Sequence, residues 1–528
     1  MTERIAPDAL KARIAGADEI AVLDVREEGA FAAGHLLLAR SLPLSRLELG
    51  LAALVPRLAT PIALIDEGDG LSERAARKLA EFGYSDVALL DGGMAAWRGA
   101  GLSVFSGVNV PSKAFGEFVE ERFHTPSISA EELKAKIDGG EDLVILDSRP
   151  WTEYVRMNIP GGIDVPGAEL AYRVHDIARS PETLVVVNCA GRTRSIIGAQ
   201  SLINAGVANP IVALRNGTMG WQLAGFQIEN GADRRAPEVS AHGLARAKEA
   251  AANVAARFGV RAIDPATLEI FKREAETRSL YLLDVRSPEE YEVGHIPGSV
   301  SAPGGQLVQA TDRYVGTLRA RLVLVDDTGV RATMTAAWLR QMGWSDAFVL
   351  ADGLDGALET GPERKRVLGL DRAISGEISP RELKGALATG RAIVVDLGSS
   401  LAYRTAHIPN AWFAVRSRLA RGLARVPRAE TLVLTSEDGL VARLAAAEAD
   451  SYGPVRVLAG GTEAWRRAGL PMAAGPGHMA DEPDDVWLRP YDRTSSVEAA
   501  MREYLEWEVG LVRAVERDGT LRFPKFGA

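Results

Sequence analysis

Short apolar runs rich in valine, isoleucine and leucine recur along the chain, separated by polar turns and by longer stretches with a helical period. The runs are too short for helices, and their turn-like flanks are typical of buried strands in a parallel sheet. Four of them end in an aspartate and lead through a polar turn into a bend, which marks the entry to the next strand. These aspartates are Asp24, Asp147, Asp284 and Asp396.

Each aspartate is followed by the same second half. A further apolar run leads into a helix-period stretch, and a third apolar run then ends in a glycine-rich turn. Strand, helix and strand in succession predict parallel βαβ units. A tryptophan closes three of the copies, and Ala357 is the expected counterpart in the third copy. The tryptophans are Trp97, Trp221 and Trp465.

The four aspartates lie 123, 137 and 112 residues apart, so each copy is long enough to bury a core of its own. The sequence therefore predicts an α/β fold with four tandem domains, each a parallel sheet flanked by helices, plus a helical C-terminal tail. The stretch LARAKEAAANVAARFG between the second and third copies is expected to be a helical spacer. The predicted domains are 1–105, 128–229, 260–361 and 374–475, with the tail at 476–528.

Composition excludes several classes of protein. The 528 residues carry a net charge of −9, which disfavours a dedicated nucleic-acid binder. No apolar stretch approaches the roughly 18 residues that span a bilayer, and the first residues lack a signal-peptide profile, so a cytoplasmic protein is expected. One cysteine and seven scattered histidines offer no disulfide and no metal-ligand pattern, so we expect no metal and no cofactor.

The single cysteine, Cys189, stands where an apolar strand runs into the sequence Cys-Ala-Gly-Arg-Thr-Arg-Ser and then at once into a helix. Free amides at a helix start, the helix dipole, Arg192 and Arg194 all favour a thiolate there. Such a thiolate is a strong nucleophile, and the same groups suit an oxyanion substrate. The competing interpretation is a small buried hydrophobic residue.

The four copies together resemble the rhodanese-family sulfurtransferases. The resemblance rests on an Asp-x-Arg strand end, a His-Ile-Pro-Gly bend, the Cys-x-Gly-x-x-Arg loop followed by serine, and a Gly-Gly-x-x-x-Trp closure; it covers about residues 1–475. It implies a thiosulfate sulfurtransferase that moves sulfane sulfur from thiosulfate, or a similar donor, to cyanide or a thiol. The sulfur would travel as a persulfide on Cys189.

The resemblance also assigns site residues. Cys189 and Arg194 would be catalytic, and the other loop residues would bind the substrate or the persulfide through their amides. Arg149 is a further candidate contact, although a salt bridge with Asp147 is the favoured interpretation. The expected substrate-binding residues are Ala190, Gly191, Arg192, Thr193, Ser195 and Arg149.

A phosphatase or an arsenate reductase is the closest chemical rival. Related phosphatases place five residues between cysteine and arginine, whereas four separate Cys189 from Arg194. The smaller loop suits a sulfur atom better than a phosphate group.

The other three copies have no thiol. Alignment on the loop glycine puts Asp66, Asp327 and Glu437 opposite Cys189, and these domains are expected to be catalytically silent. A carboxylate there would cap the helix, with a docking role as the alternative. The closing arginine is replaced in this alignment by Leu71, Ala332 and Ala442.

The histidines of the bends are present in the three copies without the thiol, whereas the second copy has Asn158. We therefore expect them to be hydrogen-bonding turn residues and not catalytic groups. They are His35, His295 and His407.

Two further questions stay open in the sequence. Four rhodanese-like modules would also suit a sulfur carrier or a scaffold that binds a relay partner.

The expected partners of an enzyme are a small-molecule donor and a thiol or cyanide acceptor, with neither nucleic acid nor membrane. Thiosulfate is the favoured donor, because the loop departs from the Gly-Ser-Gly-Val pattern of mercaptopyruvate enzymes. The aromatic tail leaves a homodimer open.

Overall fold

The computed structural model describes residues 2–373 and 375–526. The predicted start of the first domain at residue 1, the start of the fourth at residue 374 and the last two residues of the tail lie outside them. The other predicted domain bounds stay predictions. The architecture is the predicted one, with four sheets flanked by helices.

The first copy forms one sheet. Its strands are β1 (Glu3–Ile5), β2 (Ile20–Asp24), β3 (Arg40–Ser41), β4 (Ile62–Ile65) and β5 (Val87–Leu90). Its helices are α1 (Pro7–Ala15), α2 (Glu28–Ala33), α3 (Leu47–Leu54), α4 (Leu71–Glu81) and α5 (Gly93–Gly99). A linker helix, α6 (Val110–Phe123), leads to the second copy.

The second copy repeats this order. Its strands are β6 (Ser127–Ile128), β7 (Leu143–Asp147), β8 (Ile163–Asp164), β9 (Leu184–Asn188) and β10 (Ile211–Leu214). Its helices are α7 (Ala130–Asp138), α8 (Trp151–Arg156), α9 (Leu170–Ile177), α10 (Thr193–Asn204) and α11 (Gly217–Leu223). The predicted spacer is a helix, α12 (Ala241–Phe258), whose buried face packs on both the second and the third copies.

The third copy has one extra strand. Its strands are β11 (Arg261–Ile263), β12 (Leu280–Asp284), β13 (Val300–Ser301), β14 (Thr317–Leu318), β15 (Arg321–Val325) and β16 (Ala347–Leu350). Its helices are α13 (Pro265–Arg273), α14 (Pro288–Val293), α15 (Gly304–Gln309), α16 (Thr311–Tyr314) and α17 (Val330–Gln341).

The fourth copy and the tail complete the chain. The strands are β17 (Gly376–Ile378), β18 (Ala392–Asp396), β19 (Trp412–Phe413), β20 (Thr431–Thr435), β21 (Val455–Leu458) and, in the tail, β22 (His478–Met479). The helices are α18 (Pro380–Ala388), α19 (Ser400–Thr405), α20 (Leu419–Leu423), α21 (Leu440–Ala445), α22 (Gly461–Arg467), α23 (Val497–Val509) and α24 (Leu511–Asp518).

Within each copy the strands are parallel, as predicted. The strand orders are β1-β5-β4-β2-β3, β6-β10-β9-β7-β8, β11-β16-β15-β12-β13 and β17-β21-β20-β18-β19-β22. The exception lies between copies: β14 pairs antiparallel with β2, so that Thr317 lies opposite Ala21. A strand of the third copy thereby adds to the sheet of the first copy, which the repeat pattern did not predict.

The closing tryptophans lie in the cores of three copies. Trp97, Trp221 and Trp465 are buried, and each indole N–H donates to a backbone carbonyl. Trp221 packs in the hydrophobic core of the second copy. The turn after β16 has no such helix, and Ala357, the expected counterpart, is exposed.

The tail is helical, as predicted, and it packs on its own chain. Helices α23 and α24 lie on α6, and Leu511 and Val515 enter the core of the first copy. Trp487 and Trp507 pack against the same core. The aromatic side chains that leave a homodimer open thus have partners within the chain, and the homodimer stays a prediction.

Among residues 2–373 and 375–526, no helix combines the length and the apolar character that crossing a bilayer requires. In the same part of the chain, no group of three or more His, Cys, Asp and Glu side chains is arranged to hold a metal ion.

Candidate active site

Cys189 lies in the loop between β9 and α10, where the sequence places it. The strand ends at Asn188 and the helix begins at Thr193. The Asn188 side chain donates to Asp147 Oδ2 and to Thr218 Oγ1, each at 3.1 Å. These two bonds hold the strand end from which the loop leaves.

The loop carbonyls are bonded to the start of α11. The carbonyl of Cys189 accepts the Thr218 amide at 2.8 Å, and the carbonyl of Ala190 accepts the Met219 amide at 2.9 Å. The amides at positions 190–193 have no protein acceptor within the described residues. Those N–H groups therefore stay available to an anion at the start of α10.

Gly217 permits this close approach. Its φ is 54°, and a Cβ there would lie 2.3 Å from the Cys189 carbonyl oxygen and 2.7 Å from that of Gly191. Only glycine fits both the backbone conformation and the space. The glycine-rich turn after β10 thus supports the cysteine loop from behind.

The thiol is shielded from bulk solvent. Cys189 is 2% exposed, and its Sγ lies 3.5 Å from Ser195 Oγ. Ser195 in turn donates to the Arg192 carbonyl at 2.8 Å. Arg194 lies just before Ser195, in the first turn of α10.

Arg194 is held by two acceptors from different copies. Its guanidinium donates to Glu153 Oε2 at 2.8 Å and to Gln306 Oε1 at 3.1 Å. Burial opposes the charge of Arg194, but Glu153 raises the pKa of the guanidinium above its ordinary value. Burial would likewise raise the pKa of Glu153, but Arg194 lowers it to about 2. Both groups are therefore charged at neutral pH.

Arg192 is engaged elsewhere. Its guanidinium binds Glu117 through two bonds of 2.8 Å, binds Glu120, and donates to Asn216 Oδ1 at 3.3 Å. Glu117 and Glu120 belong to the linker helix α6. These contacts tie the cysteine loop to the linker, and the expected contact between Arg192 and the substrate stays a prediction.

Arg149 is fully buried and pairs with Asp147 at 2.6 Å, which is the favoured interpretation of the sequence. It also donates to the Met157 carbonyl at 2.6 Å, while its Nη1 has no partner among the described residues. Burial opposes its charge, but Asp147 raises the pKa of Arg149. Its expected contact with substrate stays a prediction.

A cavity of about 380 Å³ opens beside the loop. Ala190, Arg194 and Met219 form its wall on the side of the cysteine. The first, third and fourth copies, the linker with α6, and the tail all contribute to the remaining walls, so the cavity does not belong to the second copy alone. Its cationic side chains are Lys113, Arg156, Arg194, Arg313 and Arg489.

Tail residues cover the loop directly. Tyr491 and Tyr504 line the cavity, and burial raises the pKa of both phenols, so they stay protonated. Tyr504 Oη donates to Glu508 Oε1 at 2.9 Å, and Thr193 Oγ1 donates to the same oxygen at 3.3 Å. The space beside Gly191 is filled by Met219, Glu508 and Tyr504.

Sequence reasoning missed these tail residues, together with Glu153 and Gln306. They lie far from the cysteine loop in sequence, and none belongs to its motif. The aromatic richness of the tail was the one available signal, and it did not indicate which surface the tail would cover.

The structure corrects the alignment of the silent loops. In each copy, the aspartate that ends the first long strand pairs with the last residue of the neighbouring strand. From the first copy to the fourth, these last residues are Ile65, Asn188, Val325 and Thr435. The next residue in each copy is the first residue of the loop, and these four structurally equivalent positions hold Asp66, Cys189, Asp326 and Ser436.

Asp66 is thus correctly placed, whereas Asp327 and Glu437 are each one residue too late. The error arose because the loop glycine is not at a fixed place: Gly191 is the third loop residue, while Gly329 and Gly439 come just before the helix. Those two glycines have positive φ, which the turn into the helix requires there.

Two of these loops contain a carboxylate cap. Asp66 accepts the amides of Gly68 and Ser72 at 2.9 and 3.0 Å. Asp326 accepts those of Gly329 and Arg331 at 2.7 and 2.9 Å. The predicted capping role is confirmed for Asp66, and in the third copy it belongs to Asp326.

Asp327 and Glu437 make other contacts. Asp327 pairs with Arg331 at 2.6 Å, and Glu437 accepts the Ser399 amide at 3.0 Å. In the fourth copy, Ser436 Oγ accepts the Ala442 amide at 3.4 Å. Neither of the two predicted caps therefore caps its helix.

The predicted loss of the closing arginine in the third copy is also wrong. Arg194 is the second residue of α10, and the second residue of α17 is Arg331, not Ala332. Arg331 is fully buried and binds Glu290 and Glu169, each at 2.8 Å. In the first and fourth copies the same place holds Ser72 and Val441.

The bend histidines are turn residues, as predicted. The Nδ1 atoms of His35, His295 and His407 lie 2.9, 2.8 and 2.7 Å from backbone carbonyls four residues earlier. Asn158 makes the equivalent bond in the second copy, donating to the Tyr154 carbonyl at 3.2 Å. Burial lowers the pKa of His35 to about 3, so that ring is neutral.

Comparison with known proteins shows a similarity that covers the full length of the chain. A crystal structure of a thiosulfate sulfurtransferase from Pseudomonas aeruginosa is 49% identical, with a TM-score of 0.94, over 99% of this chain and 100% of that one. This similarity supports the prediction of an enzyme of the sulfurtransferase type.

Two curated relatives match one part of the chain each. A putative sulfur carrier protein, YrkF of Bacillus subtilis, is 32% identical over 18% of this chain and 51% of its own length. An HTH-type transcriptional regulator, Rv0324 of Mycobacterium tuberculosis, is 30% identical over 20% of this chain and 46% of its own length. The chain thus spans about half the length of these relatives.

The family model for the rhodanese-like domain matches residues 6–100, 129–224, 267–359 and 379–468. These four matches correspond to the four sheets and confirm the resemblance that the motifs indicate. The chain therefore belongs to the rhodanese family and consists mainly of four rhodanese-like domains in tandem.

Proposed function

We propose that this chain is a sulfurtransferase that takes sulfane sulfur from thiosulfate, or a similar donor, onto Cys189 and passes it to cyanide or a thiol. The observation that carries the proposal is the single thiol at the start of α10, with unpaired loop amides and Arg194 beside a cationic cavity.

In the first step, the Cys189 thiolate attacks the outer sulfur of thiosulfate. A sulfur–sulfur bond forms to Cys189, the sulfur–sulfur bond of thiosulfate breaks, and sulfite leaves with the bonding electron pair. The products are a cysteine persulfide anion and sulfite, and the total charge is unchanged. This is covalent catalysis by an activated nucleophile.

In the second step, the acceptor attacks the outer sulfur of the persulfide. Cyanide forms thiocyanate, and a thiolate forms a new persulfide. In either case the Cys189 thiolate is regenerated with its electron pair, so the enzyme returns to its initial state.

The loop residues have distinct roles in this proposal. The amides of Ala190, Gly191, Arg192 and Thr193 stabilise the persulfide anion, because they have no other acceptor in the described residues. Arg194 is held charged by Glu153 and attracts the donor anion.

The remaining predicted contacts act through the loop. Ser195 lies at the sulfur, Arg192 anchors the loop to α6, and Arg149 holds the strand end through Asp147. We therefore assign Arg192 and Arg149 to positioning, with no direct contact to the donor.

The test is sulfite release from thiosulfate in the presence of cyanide. Cys189→Ser is expected to lower kcat/KM by at least about a thousandfold, because the persulfide has no other atom on which to form. Met342→Leu is the control for protein preparation and folding, because Met342 is buried and does not line the cavity. Full activity of Cys189→Ser contradicts the proposal.

A sulfur carrier or scaffold is the second candidate. Three copies without a thiol favour it, as does the similarity to a putative sulfur carrier protein. Mass spectrometry after thiosulfate treatment separates the possibilities: an enzyme gains one sulfur atom on Cys189 and loses it to cyanide at every turnover, whereas a carrier gains the same mass and keeps it in the presence of cyanide. A protein that never gains that mass is a scaffold.

A further inference from the structure

The tail segment before α23 crosses the candidate cavity. Trp487, Arg489 and Tyr491 line it opposite Ala190 and Arg194. Rhodanese-like domains match only up to residue 468, so this wall comes from a part of the chain outside the four domains.

The tail is fixed to the site by charged contacts on both sides of this segment. On one side, the Trp487 amide donates to Glu28 Oε2 at 3.2 Å. On the other, Asp492 pairs with Arg156 at 2.7 Å. Further along, Glu508 is 1% exposed and accepts Lys113 Nζ at 2.6 Å. The segment that carries Arg489 therefore has a defined position.

The cations of the cavity fall into two groups. Four have a carboxylate partner: Arg194 with Glu153, Arg156 with Asp492, Lys113 with Glu508 and Arg313 with Glu28. Arg489 has none within ion-pair distance in the described part of the chain, and within the same residues its guanidinium makes one hydrogen bond, to Tyr491 Oη at 3.5 Å.

The unpaired charge of Arg489 lies near that of Arg194. Both guanidinium groups line the same cavity, and the carboxylate of Glu153, which pairs with Arg194, also helps to raise the pKa of Arg489 against the effect of burial. Like charges placed together in a half-buried cavity are stabilised when an anion binds between them, because a guanidinium suits tetrahedral oxyanions.

We propose that Arg489 binds the sulfonate end of a doubly charged sulfur donor and thereby makes the enzyme selective for dianionic over singly charged donors. The sulfane end of the donor then points to Cys189, between the loop amides and Arg194. This inference rests on the proposed function for the identity of the donor, but binding of the anion does not require turnover.

The first measurement is anion binding without chemistry. Thiosulfate is titrated by calorimetry into Cys189→Ser and into the double variants Cys189→Ser/Arg489→Gln and Cys189→Ser/Arg489→Lys. Loss of one charge-assisted contact is expected to raise the Kd about tenfold or more in the glutamine variant, and less in the lysine variant. Cys189→Ser/Arg493→Gln is the control, because Arg493 is an exposed arginine of the same tail.

The second measurement is selectivity in the Cys189 enzyme. Thiosulfate is compared with methanethiosulfonate, a singly charged donor that transfers the same sulfur and releases methanesulfinate. Arg489→Gln is expected to lower kcat/KM for thiosulfate about tenfold, mainly through KM, and to change that for methanethiosulfonate much less. Transfer from the preformed persulfide to cyanide keeps its rate.

Each result decides one of the two claims. If Arg489→Gln and Arg489→Lys bind thiosulfate as Arg493→Gln does, while the wild-type chain releases sulfite, the proposed function stands and the role of Arg489 is wrong. If thiosulfate binds in an Arg489-dependent way but yields no sulfite, the anion site stands and the sulfurtransferase proposal is wrong. A glutamine variant that does not fold leaves the decision to the lysine variant.

Discussion

The second and third copies share most of their site and differ in what completes it. Both begin the helix after a four-residue loop, place an arginine second in that helix, and pair it with the third residue of α8 or α14. The pairs are Arg194 with Glu153 and Arg331 with Glu290. Each arginine also reaches the other copy, Arg194 to Gln306 and Arg331 to Glu169.

The two copies differ in the first residue of the loop and in the groups that lie over the loop and its arginine. Cys189 stands where the third copy has Asp326, whose carboxylate caps the helix and occupies the loop amides. The tail leaves a cavity over the second copy, whereas the Tyr172 ring lies over Arg331, 4.7 Å from its guanidinium carbon. The arginine–glutamate pair is therefore a feature of the fold and of the contact between copies, and the thiol and the cavity distinguish the loop of the second copy.

The largest effect is expected from moving the thiol. In a Cys189→Ser background, Asp326→Cys supplies a cysteine at the matching place of the third copy. We expect activity to stay at least about a thousandfold below wild type, because the arginine of that loop, Arg331, is covered by the Tyr172 ring and bound by Glu169, Glu290 and Asp327. Sulfite release measures this.

The control is thiol titration of the unfolded double variant, which must show one cysteine. Recovery of activity would mean that a cysteine at the first loop position is sufficient for activity and that the cavity beside the loop of the second copy is not required.

An intermediate effect is expected from the two arginines. Arg194→Gln should lower kcat/KM for thiosulfate about a hundredfold, because a charged contact with the donor is lost. Arg331→Gln should leave kcat/KM near wild type and reduce the free energy of unfolding by about 3 kcal/mol, because the buried carboxylate of Glu169 and the partly exposed carboxylate of Glu290 each lose a cationic partner.

Steady-state kinetics and denaturant unfolding of both variants check this pair. Equal losses of activity in the two variants would contradict the assignment of donor binding to Arg194 and of a structural role to Arg331.

The smallest effect concerns Asp164, which lies where the third copy has Ser301 and the first has Ser41. Burial, reinforced by Asp147, raises the pKa of Asp164 from 3.8 to about 7, although Arg235 and Arg149 act in the opposite direction. The unfolded chain thus loses this proton at lower pH than the folded protein. Stability from Asp164 is complete below pH 3.8 and is lost as the pH rises to about 7.

Asp164→Ser should therefore stabilise the protein by about 2 kcal/mol above pH 7 and by little at pH 4. Denaturant unfolding at both pH values measures the difference. Asp233→Ser, at an exposed aspartate near the same sheet edge, is the control and should show no such dependence on pH. A stabilisation that is equal at the two pH values would contradict the assignment.

Some of the site could be predicted because its signals are local. The strand that ends at Asn188 and the helix that follows can be recognised in a short stretch of sequence. A cysteine between them is therefore placed in the loop that enters the helix. The alignment of Asp327 and Glu437 failed because the positive-φ glycine before each helix replaces the glycine inside the cysteine loop. Counting residues from the strand end to the helix start would have found Asp326 and Arg331.

The sequence by itself determined four α/β repeats, the place of the single thiol and the loop that holds it, because strand and helix periods and turn residues act over a few neighbouring positions. Only the tertiary structure decided that Arg192 pairs with the linker helix, that β14 adds to the sheet of the first copy, and that Arg489 lines the same cavity as Arg194. Those contacts join residues tens to hundreds of positions apart. Their geometry depends on how whole copies pack, which no local pattern records.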